Sequence, residues 1–565
     1  MNFNHKTKKN NTYDAIVVGT GISGGWAAKE LTENGLNTLV LERGRDVKHI
    51  EDYPTMLKDP WEIPNNDRIS AEEAKHYEKQ MRTGYTITET TKHWWVKDTD
   101  QPYDEEKRFD WIRGYHVGGR SIMWGRQSYR LAPMDFEANA KEGIGVDWPI
   151  RYEDIEKWYD YVEDFAGISG EALGLEQLPD SKFLPPMELN CLEKHLKQSM
   201  MDSFGRVLTI GRAAHLTRPH NGRGRCMMRN LCMRGCPYGA YFSSNASTLP
   251  AAAATGNMTL RPHSIVDSVI FDEELGKATG VRVIDAESGE LIEYYAKIIF
   301  LNASCVNTTL IMLNSRSNRF PDGLGNDSGE LGHNMMDHHF RAGANGEYDG
   351  FEDEYYYGRR PSGFYIPRYR NFGNDKRDYL RGFGYQGGAS RQGWTRAVRE
   401  LAIGEQLKEY VTTPGKWTMG MTAFGEMLPV HENRMYLNFN KRDKWGQPTV
   451  VFDTEFKENE WKMREDMKND AAEMLEAAGL KNVTTFDSPG GPGLGIHEMG
   501  TARMGRDPKT SVLNSWNQVH SVQNVFVTDG ACMTSAACQN PSLTYMALTA
   551  RAANYAADEL RKGNL

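Results

Sequence analysis

Three of the chain's seven cysteines fall in one short run, CMMRNLCMRGCPYG at 226–239, as Cys226, Cys232 and Cys236. Arg223, Arg225, Arg229 and Arg234 lie in or beside that run. Thiolates ligate zinc and iron–sulfur centres, and nearby positive charge compensates and tunes a thiolate–sulfide core. The C-x5-C-x3-C spacing is not that of the paired C-x2-C knuckles of zinc ribbons, although His220, six residues ahead, offers a fourth zinc ligand. Three thiolates suit a cluster of three irons, one thiolate per iron. Three apolar thiols packed without a ligand are the remaining reading.

The second run with chemical content is Gly19-Thr20-Gly21-Ile22-Ser23-Gly24. The apolar stretch Asp14–Val18 before it reads as a buried parallel strand, and a helical pattern runs from Trp26 to Asn34 with Gly35 as its stop. Leu39–Leu41 reads as a second strand ending at Glu42, about 20 residues past the glycines. In such a unit the first glycine makes the tight turn and the second admits a pyrophosphate. The third lets helix and strand pack closely, and the helix N-terminus faces the phosphate charge. Glu42 would accept a hydrogen bond from the adenosine ribose, and Thr20, Ser23 and Arg43 stand beside these groups as further candidate contacts. The motif alone does not separate FAD from NAD.

Composition bounds the rest. The chain has 565 residues, 39% hydrophobic and 25% charged, enough for one large core or two to three ordinary ones. Formal net charge is −9 and no basic block is long enough to argue for wrapping nucleic acid. No run approaches the roughly 18–20 apolar residues of a membrane-spanning helix. The N-terminal MNFNHKTKKNNTYD lacks the apolar core of a secretory signal, so export would require a partner. Seven scattered cysteines form no disulfide framework.

Residues 258–304 alternate short β-branched segments with turns and end in Ile298–Leu301 followed by Asn302-Ala303-Ser304. This reads as an antiparallel excursion that rejoins a parallel sheet, an arrangement that favours FAD and makes its domain discontinuous. HEMGTARMG at 497–505, NVFVTDGACMTSAACQNPSLTYMALTARAANYAADEL at 524–560 and RGYHVGGRSIMWGRQSYR at 113–130 then follow the fingerprint in order. Together they resemble the glucose–methanol–choline (GMC) flavin oxidoreductases, within them most the branch of pyranose oxidases and bacterial FAD-dependent sugar (glucoside 3-) dehydrogenases.

That resemblance implies an α/β fold: a discontinuous FAD-binding domain with a Rossmann-like parallel sheet, plus an α+β substrate domain with a mostly antiparallel sheet. The expected division gives 11–50, 110–135, 225–345 and 490–560 to the FAD domain and 51–109, 136–224 and 346–489 to the substrate domain and excursions, with 226–236 at the boundary. It also implies that His497 takes the substrate's hydroxyl proton beside the flavin and that Asn540 is its partner. Asp529 and Gly530 would meet the flavin's phosphate-side chain, and Thr544 would lie near the ring. The Val266 backbone would meet the adenine, and Gly118, Gly119, Ser121 and Trp124 would line the flavin. Met123 stands where some pyranose oxidases carry the histidine that bonds FAD covalently, so non-covalent FAD is expected.

An imidazole with an ordinary pKa of about 6.5 suits the proton transfer. An amide N–H can hold the developing alkoxide, and the hydride goes to the cofactor. The cysteine run resembles the insert of FAD-dependent sugar dehydrogenases that holds a [3Fe–4S] cluster, through which electrons would leave to a cytochrome or other acceptor. Without such an exit, the enzyme would be an oxidase making hydrogen peroxide. Two readings of another class are a flavin-binding protein without activity and a zinc-dependent interaction module. LGHNMMDHH, with His333, His338 and His339, could suggest a metal cluster, but the resemblance implies a turn near the flavin domain's return instead. The aromatic and arginine-rich stretch from 348 to 394 fits a carbohydrate pocket, a docking loop or an ordinary tyrosine-rich sheet. The branch implies a pyranose or glucoside substrate oxidised at a secondary ring hydroxyl, C3 favoured. It also implies export to the periplasm with a small signal-bearing subunit, against a cytoplasmic default.

Overall fold

A computed structural model describes residues 11–355, 363–393 and 403–565. The N-terminal strand β1 (Thr12–Val18) lies inside a parallel sheet because its last four residues are buried on both faces. It pairs with β2 (Thr38–Leu41) on one side and β6 (Leu291–Leu301) on the other, with Val18 opposite both Leu41 and Leu301. β3 (Met258–Arg261) extends the sheet beyond β2, and β12 (Val522–Val527) extends it beyond β6. β3 is thus a parallel strand, and the antiparallel excursion begins only after it. The excursion comprises β4 (Ser264–Asp272), β5 (Lys277–Asp285) and the first part of β6, which then rejoins β1.

Helix α1 spans Ile22–Glu33, starting within the glycine turn rather than at the expected Trp26. It packs on α3 (Ser542–Arg561), which is rich in buried alanines, so the two backbones approach closely. Gly35 has φ +82°, as expected of the residue that stops the helix.

The second sheet is antiparallel at every pairing. Its order is β11 (Lys481–Asp487), β7 (His338–Tyr348), β10 (Trp417–Glu426), β9 (Phe383–Arg391), β8 (Phe364–Ile366) and the short strand Thr209–Ile210. Alternation along β10 is strict: Trp417, Met419, Met421 and Ala423 are buried, with half-buried residues between them. The buried face packs under α2 (Glu458–Ala477) through Met463, Met467, Ala471 and Met474.

Two expectations change here. β7 belongs to the antiparallel sheet, so the nucleotide-binding segment ends before 338 instead of at 345. His338 and His339 open that strand and are not part of a turn, and successive strand residues point to opposite faces.

Candidate active site

A cleft of about 2210 Å³ runs between the two sheets. Ordinary small-molecule pockets hold roughly 300–1,000 Å³, so this one has room for a dinucleotide and a second molecule. Gly19, Thr20, Gly21, Ser23, Glu42, Arg43, Gly119, Ser121, Trp124, Val266, Asp529, Gly530, His497 and Asn540 all line it.

The glycine turn is shaped for a ligand. Gly19 has φ +100°, and a Cβ there would stand 2.4 Å from the Asn302 carbonyl oxygen. A Cβ on Gly24 would stand 2.0 Å from the Gly19 carbonyl oxygen, so the helix sits as close as its backbone permits. At Gly21 no atom lies within 4 Å of the same position, and the space is open cleft. No side chain caps the N-terminus of α1, and its first turn holds no acid. Its N–H groups are therefore available to an anion.

Glu42 is buried and accepts from the Thr20 N–H at 3.2 Å, the Gly44 N–H at 3.0 Å and the Thr20 hydroxyl. Burial raises its pKa despite these donors. Arg43 is stacked between Tyr115 and Trp445, each centroid 4.8 Å away, and tied to Asp443 and Gln447. Several buried polar atoms on the cleft residues, among them Arg43 Nε, Asn302 Oδ1 and Tyr545 Oη, have no partner among the described residues. Buried polar groups are normally paired, so these atoms together with the open glycine turn fit a polar dinucleotide such as FAD.

Other expected contacts divide. Gly119 lies across the turn, its Cβ position 3.5 Å from Gly21 Cα, whereas Gly118 sits behind it and donates to Thr20 Oγ1 at 2.9 Å. The Ser121 hydroxyl donates to the Gly118 carbonyl at 2.5 Å and accepts from Ser244 N–H at 3.0 Å. The Trp124 indole donates to the Phe242 carbonyl, and the Val266 carbonyl accepts from Gln447 Nε2 at 3.2 Å. Asp529 accepts from Thr308 Oγ1 at 2.6 Å and Ala531 N–H at 3.0 Å, and burial pushes its pKa up to about 6. Thr544, like Gly118, does not line the cleft. It is fully buried and bonded to Tyr159 Oη at 2.8 Å, and it is its neighbours Ser542 and Tyr545 that reach the cleft.

His497 is held from two directions by β7 and the residue before it. The Asp337 carboxylate accepts N–H bonds from Gly493 (2.7 Å), Gly495 (2.9 Å) and His497 itself (3.0 Å), pinning the segment that carries the ring. Burial, with the Glu498 carboxylate nearby, pushes Asp337 up to about 7, while the N–H donors pull the other way. The imidazole Nδ1 of His497 lies 2.9 Å from Nδ1 of His338, with the two rings perpendicular. Burial, and secondarily His338 and Arg120, hold His497 well below the ordinary imidazole pKa, so it is the free base at neutral pH. Arg120 forms two bonds to the Glu498 carboxylate, at 3.1 and 2.8 Å. Asn540 accepts from Gln386 Nε2 at 2.7 Å through Oδ1, which turns its N–H₂ group outward as a donor.

Asp337, Arg120 and Glu498 fall inside the stretches LGHNMMDHH, RGYHVGGRSIMWGRQSYR and HEMGTARMG, and Gln386 inside the aromatic stretch, but nothing in those stretches assigns them a role, and His338 was legible only as part of a histidine cluster. Their roles depend on contacts across 154 to 378 residues, which spacing does not reveal.

All seven cysteines are free. Cys226, Cys232 and Cys236 line one small cavity of about 30 Å³ beside His215, whose Nε2 is 4.0 Å from Cys232 Sγ. Met227, Met228, Arg229, Leu231 and Cys232 line both that cavity and the main cleft. Burial, then the neighbouring thiols, raises the Cys226 pKa. His220 turns away to the Asp164 carbonyl at 2.6 Å and so does not join the three cysteines as the fourth ligand of the zinc alternative. Arg223, Arg229 and Arg234 bond main-chain carbonyls of Ala166, Met56 and Lys58, so they anchor the segment to its surroundings. Among the described residues no group of three His, Cys, Asp or Glu side chains stands close enough to hold one metal ion.

Residues 356–362 and Trp394 of the aromatic stretch lie outside the described residues. Within the remainder, Tyr379, Phe383 and Tyr385 pack in the core, whereas Gln386, Gly387 and Gly388 face the cleft. Most of these aromatics therefore serve packing.

A dinucleotide cleft with a neutral imidazole and an outward-facing amide on its wall defines a cofactor-dependent oxidoreductase. Residues 13–340 and 429–549 match the N- and C-terminal models of the GMC oxidoreductases, and the chain belongs to that family. It is therefore an FAD-dependent enzyme acting on CH–OH groups. The chain is 28% identical to 2-methyl-1,2-propanediol dehydrogenase of Mycolicibacterium austroafricanum, over 96% of this chain and 94% of that protein. It is 25% identical to the fructose dehydrogenase large subunit of Gluconobacter japonicus, over 97% and 98%. The solved structure of pyridoxine 4-oxidase from Mesorbium loti shares the fold, with a TM-score of 0.59 at 15% identity, covering 96% of this chain and 98% of that one.

Proposed function

We propose that this enzyme is a dehydrogenase that oxidises a secondary ring hydroxyl of a pyranose sugar or glucoside, C3 favoured, to a ketone. The observation that carries the reading is that His497 and Asn540, 43 residues apart in sequence, line one cleft with the glycine turn. His497 Nε2 takes the hydroxyl proton, and Asn540 Nδ2–H donates to the same oxygen as negative charge develops there. Non-covalently held FAD supplies the hydride acceptor. Met123 lines the cleft and brings no imidazole nitrogen with which to bond the cofactor. Likeness to the fructose dehydrogenase large subunit supports a sugar substrate and a multi-subunit assembly.

The electron exit is an iron–sulfur cluster of the [3Fe–4S] kind on Cys226, Cys232 and Cys236. The reading is supported by three thiols around one cavity that shares a wall with the main cleft. A three-iron core binds each thiolate to a different iron and keeps the sulfurs farther apart than a single-ion site does. Electrons would pass to a cytochrome or similar acceptor, and a small signal-bearing subunit would carry the enzyme to the periplasm.

The test is iron and sulfide analysis with visible spectroscopy on purified protein, followed by glucoside-driven reduction of a dye against oxygen. Iron–sulfur absorbance with dye reduction and a 3-keto product supports the reading. Flavin bands alone with peroxide production make the enzyme an oxidase and overturn it.

A further inference from the structure

We propose that His338 is a positioning residue that fixes the tautomer and ring orientation of His497, so that the lone pair of the base faces the substrate. The inference rests on the proposed role of His497 as the base.

The polarity of the pair follows from a chain of hydrogen bonds with one fixed end. His338 Nε2 lies 2.7 Å from the Ala537 carbonyl oxygen. A carbonyl only accepts, so Nε2 of His338 carries the proton. The ring is 1% exposed, and burial pushes its pKa down to about 4, so it is neutral and its Nδ1 is bare. That bare nitrogen sits 2.9 Å from Nδ1 of His497. Two bare nitrogens at this distance would repel, so His497 Nδ1 must be the donor. Neutral His497 then holds its only proton on Nδ1, which leaves the Nε2 lone pair as the acceptor on its cleft side.

A single backbone carbonyl, through one intervening imidazole, thus decides which nitrogen of the base is available. When His497 takes a proton at Nε2, the Nδ1–H bond to His338 becomes charge-assisted and strengthens. No carboxylate does this work. Asp337 is committed to three backbone N–H groups, and Glu498 is committed to Arg120. The same polarity logic extends to Gln386 at Asn540, although that contact lies on the wall open to substrate. The register of β7 explains why adjacent histidines have different fates. His338 points to the 497 segment, and His339 points to Phe456, on the other face of the strand.

The experiment combines His338→Leu, His338→Gln and His497→Ala, each as the FAD-loaded full chain, with ¹⁵N-histidine NMR of the wild type. Leucine removes the acceptor, while the glutamine amide oxygen can restore it. The expected result is a fall of about 10–10³-fold in the rate of substrate-driven flavin reduction for His338→Leu, with substrate Kd changed less than about threefold and partial recovery in His338→Gln. A wrong base tautomer costs about 10⁴ in a serine protease triad, which sets the upper bound. The acidic limb of the reduction rate should also move in His338→Leu. Arg120, Glu498 and Asp337, which also face His497, are unchanged in that variant, so the shift isolates the histidine contact. The NMR should show His497 protonated on Nδ1 and bare at Nε2. Wild-type spectra with the opposite tautomer overturn the inference whether or not the variants fold. So does a His338→Leu enzyme with the wild-type rate and pH profile while His497→Ala is inactive. If His497→Ala itself retains full turnover, the base assignment fails instead.

Discussion

At the glycine turn the cleft is shaped by backbone. Gly19, Gly21 and Gly24 stand within six residues, and the limits there are main-chain oxygens 2.0 and 2.4 Å from where a side chain would begin. At His497 the same cleft is shaped by side chains from distant segments: Asp337 and His338 from the start of the antiparallel sheet, Arg120 from the 118–122 turn, and Gln386 facing Asn540. The first wall is a local motif that binds by open N–H groups. The second is a convergence, and each reacting group there has its polarity set by a partner it meets only after folding. A binding function tolerates a standardised local unit, whereas proton transfer needs one atom with the right lone pair in one direction.

The largest expected effect breaks the first wall. Gly24→Ala forces a Cβ into the Gly19 carbonyl and should abolish FAD retention, whereas Gly21→Ala, with empty cleft beside it, should fold normally and only weaken cofactor affinity. Flavin-to-protein ratios after gel filtration check this, and equal loading of the two variants would remove the distinction.

Next in size is the half-buried ion pair on the second wall. Glu498→Gln leaves the Arg120 guanidinium, 25% exposed to the cleft, without its carboxylate and should cost about 1.5–3 kcal/mol of stability, as a lost hydrogen bond to a charged group does. Thermal or urea unfolding of the FAD-loaded enzyme measures it, and a loss under about 1 kcal/mol would class the pair with surface ion pairs.

Cys232→Ser addresses the third region. It should leave substrate-driven flavin reduction near wild type while lowering dye reduction and iron content together. Unchanged dye turnover would separate the cysteines from electron exit.

The smallest effect is on pH. Burial lowers the His497 pKa, so the base stays unprotonated as pH falls from neutrality, and the acidic limb of kcat/KM should lie below the ordinary value of about 6.5. A limb at or above that value would contradict the lowered pKa of the imidazole.

Much of the first wall was legible in sequence. Strand, turn, helix and Glu42 form a contiguous unit whose residue types are dictated by backbone geometry. Only the helix start was misjudged, because the serine and glycines of the first turn hide the apolar period. His497 and Asn540 were legible through their ordered motifs, but their partners were not. Thr544 is one helix residue away from Tyr545, and spacing alone does not say which of the two faces the cleft. His338 and His339 look identical as a sequence pair, and only the register of β7 separates them.

The most direct test is rapid-mixing flavin reduction in His497→Ala. The variant should purify yellow with a wild-type flavin ratio and be reduced by substrate about 10²–10⁴-fold more slowly. Reduction at the wild-type rate would contradict the placement of the base.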